Sequence, residues 1–172
     1  IALVLGGCSI PRWPVDGTIS SPFGLRRHGG FLPSVHHGVD IPLPVGTPVH
    51  AMAAGTVIFS GTMRGYGTLV VIDHGSQVHS YYAHLSETQV QRGDRVQGRQ
   101  VIALSGMSGN VTGPHLHFEI RRRGWPIDPV PMLGRMPRPA DWGYGAALPR
   151  CGATRTGSSP LRMRCGFAER RS

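Results

Sequence analysis

The sequence contains no lysine: all 18 basic residues are arginine, set against nine acidic residues, and the formal net charge is +9. It shows no nucleic-acid-binding motif, so the charge does not make nucleic acid a partner. Lipid head groups and anionic polymers remain open as partners of a basic surface. Long stretches with apolar residues at helical spacing are missing, which argues against a mainly helical domain. The apolar opening, "IALVLGGCSIP", is far too short to span a membrane. Cysteine is rare, at positions 8, 151 and 165, and there is no internal repeat.

Glycine and proline are abundant, 25 and 15 of 172 residues, as in a turn-rich chain of short strands. The length fits one domain with some excess chain. Runs rich in Val, Ile and Tyr predict strands at 49–52, 56–60, 68–73, 78–83, 101–105 and 115–121. Tyr81 and Tyr82 alternate across one of them, so at least one belongs in the core. Gly93-Asp94 predicts a tight reversal between Val90 and Val96. Strands in succession with short turns predict a small, mainly β domain of antiparallel sheet with little helix, any helix being short and near 86–91.

This domain is expected to span 18–130. Residues 1–17 read as the remnant of a secretory signal followed by a linker, "SIPRWPVDG". Leu5-Gly6-Gly7-Cys8 resembles a bacterial lipoprotein box, which implies a lipid-modified Cys8 and membrane anchoring. Residues 131–172 hold eight arginines against Asp141 and Glu169 and show no sustained periodicity, so they read as a disordered basic tail. With Cys8 acylated, Cys151 and Cys165 would form an even pair, whose disulfide would contribute roughly 3 kcal/mol. The alternative is two free thiols.

Within "GPHLHFEI", residues 113–120, strand alternation puts His115, His117 and Glu119 on one face. Upstream, "HHGVDIPLPVGTPVHA" places His36 and Asp40 four apart, on one face if the segment is extended, with His37 pointing the other way. Two histidines and an aspartate, with no thiolate, make the donor set of a catalytic zinc site with one open position. The plain alternative for each half is a solvated face.

Six stretches carry a family resemblance: "SSPFGLR" (20–26), "HHGVDIPLPVGTPVHAMAAGTV" (36–57), "YGTLVVIDHG" (66–75), "YYAHLS" (81–86), "RGDRV" (92–96) and "SGNVTGPHLHFEIRRRGWPIDP" (108–129). In order and spacing they resemble the lysostaphin/LytM-type zinc metallopeptidases, enzymes that cut peptide bonds in bacterial cell-wall peptidoglycan. The resemblance implies zinc ligands His36, Asp40 and His117, with His84 and His115 catalytic beside the metal. It implies a small antiparallel β domain with the site in a groove, and action in the bacterial cell envelope. His115 would be the base and His84 the donor to the transition state.

Glu119 either hydrogen-bonds a ligand imidazole or sits on the surface paired with one of Arg121–Arg123. Arg26 either reaches a substrate carboxylate or forms a structural ion pair. His28, His37, His50, His74 and His79 read as packing or surface residues. The function expected is a zinc-dependent endopeptidase acting on peptidoglycan peptide cross-links, those between stem peptides rather than glycine bridges. The alternative is a non-catalytic relative that binds and activates other wall hydrolases.

Overall fold

The structure, a computed structural model, describes residues 10–26 and 34–136. Its strands are β1 (Gly24–Arg26), β2 (Ser34–His36), β3 (Val39–Pro42), β4 (Pro48–His50), β5 (Gly55–Met63), β6 (Gly67–Asp73), β7 (Val78–Thr88), β8 (Arg95–Val96), β9 (Val101–Ser105), β10 (His115–Arg122) and β11 (Trp125–Ile127). One short helix, α1 (Pro129–Leu133), follows them. All pairings are antiparallel.

β1 and β2 form a separate two-stranded sheet, and nine strands form the other. In the large sheet β10 pairs with β11, β3 and β7, and β7 also pairs with β6 and β9. Alternation on β10 sends Leu116, Phe118 and Ile120 into the core, each fully buried, and leaves His115, His117 and Glu119 on the opposite face. β3 repeats the pattern: Val39 and Ile41 are fully buried, with Asp40 between them. Tyr82 packs on Phe118 at a ring separation of 5.4 Å. Gly93 makes the reversal before β8 with a φ of +99°, a conformation in which a side chain is strained.

Two expectations are corrected. The segment 86–91 is not helical: β7 continues to Thr88, and Glu87 and Thr88 pair with Leu104 and Ala103 of β9. Burial of Leu85 and the ladder to β9 override the local signal. The helix lies later, at Pro129–Leu133, where Asp128 caps Val130 N–H at 3.0 Å and proline takes the first helical position. Part of the expected linker is structural. Trp13 and Val15 are buried in the core, and Trp13 Nε1 donates to the Gly134 carbonyl at 3.0 Å. A short segment has no periodicity to reveal this, and the two large apolar side chains are the only clue. Cys8, Cys151, Cys165 and most of the expected tail lie outside the described residues.

Candidate metal centre

The register of β10 with β3 sets His117 directly opposite Asp40. His36, at the end of β2, comes to the same point because the chain bends between β2 and β3. Gly38 lies in that bend against β10: a Cβ there would stand 2.4 Å from the Phe118 carbonyl oxygen. His36 Nε2 lies 3.1 Å from Asp40 Oδ1 and 3.1 Å from His117 Nδ1. His117 Nδ1 lies 2.7 Å from Asp40 Oδ1. Among the described residues these three side chains are the one group of His, Cys, Asp or Glu whose ligand atoms converge.

The outward-facing atoms fix the tautomers. His36 Nδ1–H donates to the Pro22 carbonyl at 2.8 Å, so its Nε2 presents a lone pair. His117 Nε2–H donates to Glu119 Oε1 at 2.9 Å. Glu119 is 1% exposed and is also held by Arg121 Nε at 2.8 Å and by the Tyr66 hydroxyl at 2.9 Å. Burial raises the Glu119 pKa, but His117 and Arg121 outweigh it and leave the carboxyl ionised. Burial also opposes a charged Asp40, yet its bonds to His117 and His36 hold its carboxyl well below the usual range. A neutral His117 would therefore turn a second lone pair toward an imidazole lone pair and a carboxylate oxygen. Without an added positive charge three acceptors would face one another at about hydrogen-bond distance.

That donor set fits zinc. Ligand atoms sharing one tetrahedral ion with bonds of about 2.0–2.1 Å stand roughly 3.3 Å apart, and two imidazoles with a carboxylate are ligands zinc accepts. Absent an ion, a proton on His117 Nδ1 satisfies the three groups. Burial lowers the His117 pKa, but the bonds to Asp40 and Glu119 prevail and raise it.

His84 and His115 flank the group. His115 Nδ1–H donates to the Gly113 carbonyl at 2.9 Å, and its Nε2 is 3.7 Å from Asp40 Oδ1. His84 lies 4.8 Å from His115, ring to ring. Plain alternation would send His84 toward the core with Tyr82. Instead β7 carries a bulge: Val70 faces Tyr82 and Thr68 faces Leu85, so three steps on β7 match two on β6. His84 takes a φ of +62°, rare for a side-chain-bearing residue, and turns to the site. Its Nδ1–H donates to the Ser108 carbonyl at 2.8 Å. Burial first, and the nearby His115 and His117, push its pKa down to about 4. At neutral pH it is a neutral imidazole with an acceptor Nε2.

These residues line an open cleft of about 560 Å³, with Tyr66, Asn110 and Thr112 on its walls. Tyr66 was not singled out from the sequence. Its hydroxyl, pushed up to about 12 by burial and Glu119, remains protonated and also accepts from Arg121 at 3.0 Å. Glu119 is not a surface residue; it binds His117 and Arg121 at once. Arg26 pairs with Asp40. His37 is exposed at the cleft, while His50 and His74 bond to the carbonyls of Pro14 and Ala54 away from it. His79 pairs with Asp73, and His28 lies outside the described residues.

The sequence model of Peptidase family M23 matches residues 34–129, more than half of the chain. The DD-carboxypeptidase/endopeptidase Mpg of Neisseria meningitidis serogroup B is 46% identical over 113 residues, 65% of this chain and 26% of that protein. The murein hydrolase activator EnvC of Escherichia coli is 39% identical over 134 residues, 76% of this chain and 31% of that protein. A solved structure, a zinc containing peptidase from Vibrio cholerae, superposes with a TM-score of 0.67 at 35% identity, over 76% of this chain and 41% of that one. The chain thus spans between about a quarter and a third of the length of these two curated relatives.

Proposed function

The chain belongs to peptidase family M23, and from that premise we propose that it is a zinc-dependent endopeptidase hydrolysing peptide cross-links of bacterial cell-wall peptidoglycan. The observation that carries this reading is the convergence of His36 Nε2, Asp40 Oδ1 and His117 Nδ1 as acceptors, beside two further imidazoles in an open cleft. The endopeptidase relative from Neisseria meningitidis and the zinc containing neighbour from Vibrio cholerae support it. Action in the cell envelope follows, with a lipid-modified Cys8 as the proposed anchor. A single acyl chain anchors only marginally, so stable anchoring requires several chains or a second attraction, such as that of the basic charge for anionic lipid.

His36, Asp40 and His117 would hold the zinc, which supplies a Lewis acid that brings the pKa of a water toward ~7 and polarises the peptide carbonyl. His115, its tautomer set by the Gly113 carbonyl, presents Nε2 nearest Asp40 and accepts the water's proton. His84 starts neutral, so it becomes a donor to the developing oxyanion only once a proton has reached it. Its ring lies 4.8 Å from that of His115, and the proton taken from the water passes finally to the departing amine. Glu119, clamped by Arg121 and Tyr66, keeps the His117 tautomer in place.

The test is digestion of directly cross-linked sacculi and, separately, of pentaglycine, with products identified by mass spectrometry. The expected result is cleavage of stem-peptide cross-links. His84→Ala and His115→Ala should keep the fold and the metal and lose roughly 10²-fold or more in rate. Cleavage of pentaglycine alone would overturn the choice of bond. Cleavage of neither substrate by a zinc-loaded chain would favour the role that the name of the E. coli relative gives that protein, activation of a murein hydrolase.

A further inference from the structure

Asp40 has two carboxylate oxygens in different surroundings. Oδ1 faces His36, His117 and His115 at 3.1, 2.7 and 3.7 Å. Oδ2 is taken by Arg26, whose terminal guanidinium nitrogen makes a short ion pair with it. The main chain of Asp40 is itself fixed: its N–H donates to the Ser21 carbonyl and its carbonyl accepts from Ser20 N–H, both at 2.9 Å. With the main chain fixed, the orientation of the carboxylate rests on the contacts of its two oxygens, and Arg26 is the partner that holds Oδ2.

The clamp and a ligand come from one device. β1 pairs with β2 so that Arg26 faces Ser34 and Gly24 faces His36. The strand pair that brings His36 to the centre therefore also brings the guanidinium to the far side of Asp40. Arg26 Nε is buried and has no hydrogen-bond partner among the described residues. The placement of the guanidinium is thus set by Asp40 and not shared among several acceptors. The fixed charges then balance: Arg26 faces Asp40, and Arg121 faces Glu119. The two carboxylates nearest the centre are each matched by an arginine, which leaves the positive charge of an ion there less diminished.

We infer that Arg26 is a positioning residue that occupies Oδ2 of Asp40 and thereby restricts this ligand to a single oxygen, Oδ1. The inference rests on the metal centre proposed above. Without Arg26 the carboxylate can swing and offer both oxygens, adding a ligand atom to a site that needs an open position for water. Lysine would substitute only in part, since it brings a compact point charge without the planar fork.

The test loads the metal-free chain with cobalt(II), whose visible absorption weakens when coordination rises from four to five. Zinc affinity is measured in parallel by competition with a chromogenic chelator. Arg26→Ala and Arg26→Gln should weaken the cobalt band and tighten zinc binding about 10-fold, because the site loses a neighbouring cation and gains a ligand oxygen, and Arg26→Lys should return part of the way to wild type in both. Far-ultraviolet circular dichroism of each metal-free variant reports whether it has folded. A wild-type cobalt spectrum and zinc affinity in folded Arg26→Ala and Arg26→Gln overturn the inference alone. A raised KM with unchanged spectra also overturns it, and assigns Arg26 to the substrate. If the wild-type chain itself shows no such spectrum, the metal centre fails and the inference falls with it.

Discussion

Gly38→Ala is a one-methyl change aimed at the bend that brings the two halves of the centre together. The added Cβ would stand 2.4 Å from the Phe118 carbonyl oxygen, 2.8 Å from Glu119 Cγ and 3.0 Å from the Phe118 carbonyl carbon. Favourable carbon contacts begin near roughly 3.5 Å, so the segment must retreat by about 1 Å. Two of the three clashing atoms are backbone of β10 and cannot rotate away. Overpacking of this kind costs about 1–3 kcal/mol, a fall in Tm of roughly 4–15 °C for a domain of this size. The retreat also draws His36 and Asp40 away from His117, and a 1 Å misplacement can cost about 10²-fold in rate. Differential scanning calorimetry and cross-link hydrolysis read the two effects. Gly113→Ala is the control, because nothing lies within 4 Å of a Cβ there; it should stay within about 0.5 kcal/mol of wild type. Wild-type Tm and wild-type hydrolysis in Gly38→Ala would refute the reasoning.

Two further outcomes are expected away from the centre. Tyr82 is fully buried and its hydroxyl accepts from Met52 N–H at 2.9 Å. Tyr82→Phe leaves that donor unsatisfied and should cost about 1–3 kcal/mol, read as a lower urea midpoint at unchanged slope. His74 donates Nδ1–H to the Ala54 carbonyl at 2.8 Å and receives the Ser80 hydroxyl at Nε2 at 2.7 Å, and burial lowers its pKa below 6.5 despite the opposing Ala54 bond and Asp73 charge. The unfolded chain then binds the more protons between the two pKa values. The stability His74 contributes is held above about pH 6.5 and lost as pH falls through the folded value. Urea titrations between about pH 7.5 and 5 should show a decline that His74→Gln flattens; an identical decline in the variant would contradict it.

The parts of the site that could be read from the sequence are those that obey a simple period. On β10 the six residues from His115 to Ile120 alternate polar and apolar, so the shared face of His115, His117 and Glu119 follows from the pleat. His36 and Asp40 converge by a different route from the one their spacing suggested. They do not lie on one extended segment; β2 ends at His36, β3 begins at Val39, and each belongs to a different sheet. His84 is at odds with period two altogether, because a bulge and a left-handed backbone aim it. Strands of two or three residues, such as β1, β2, β8 and β11, contain too few alternations to announce themselves. Tyr66 matters through Glu119, 53 residues away in sequence, and such a contact leaves no local trace. The alternatives for Glu119 were both partly right, since burial lets one carboxylate serve an imidazole and a guanidinium together.

The most direct test of the central claim is a zinc titration of the metal-stripped chain followed by cross-link hydrolysis at each point. Hydrolysis should be absent at the start, rise linearly, and level off at one zinc per chain, while His36→Ala and Asp40→Ala neither bind zinc tightly nor recover activity. Undiminished hydrolysis by the stripped chain, or full zinc occupancy in both variants, would contradict the account.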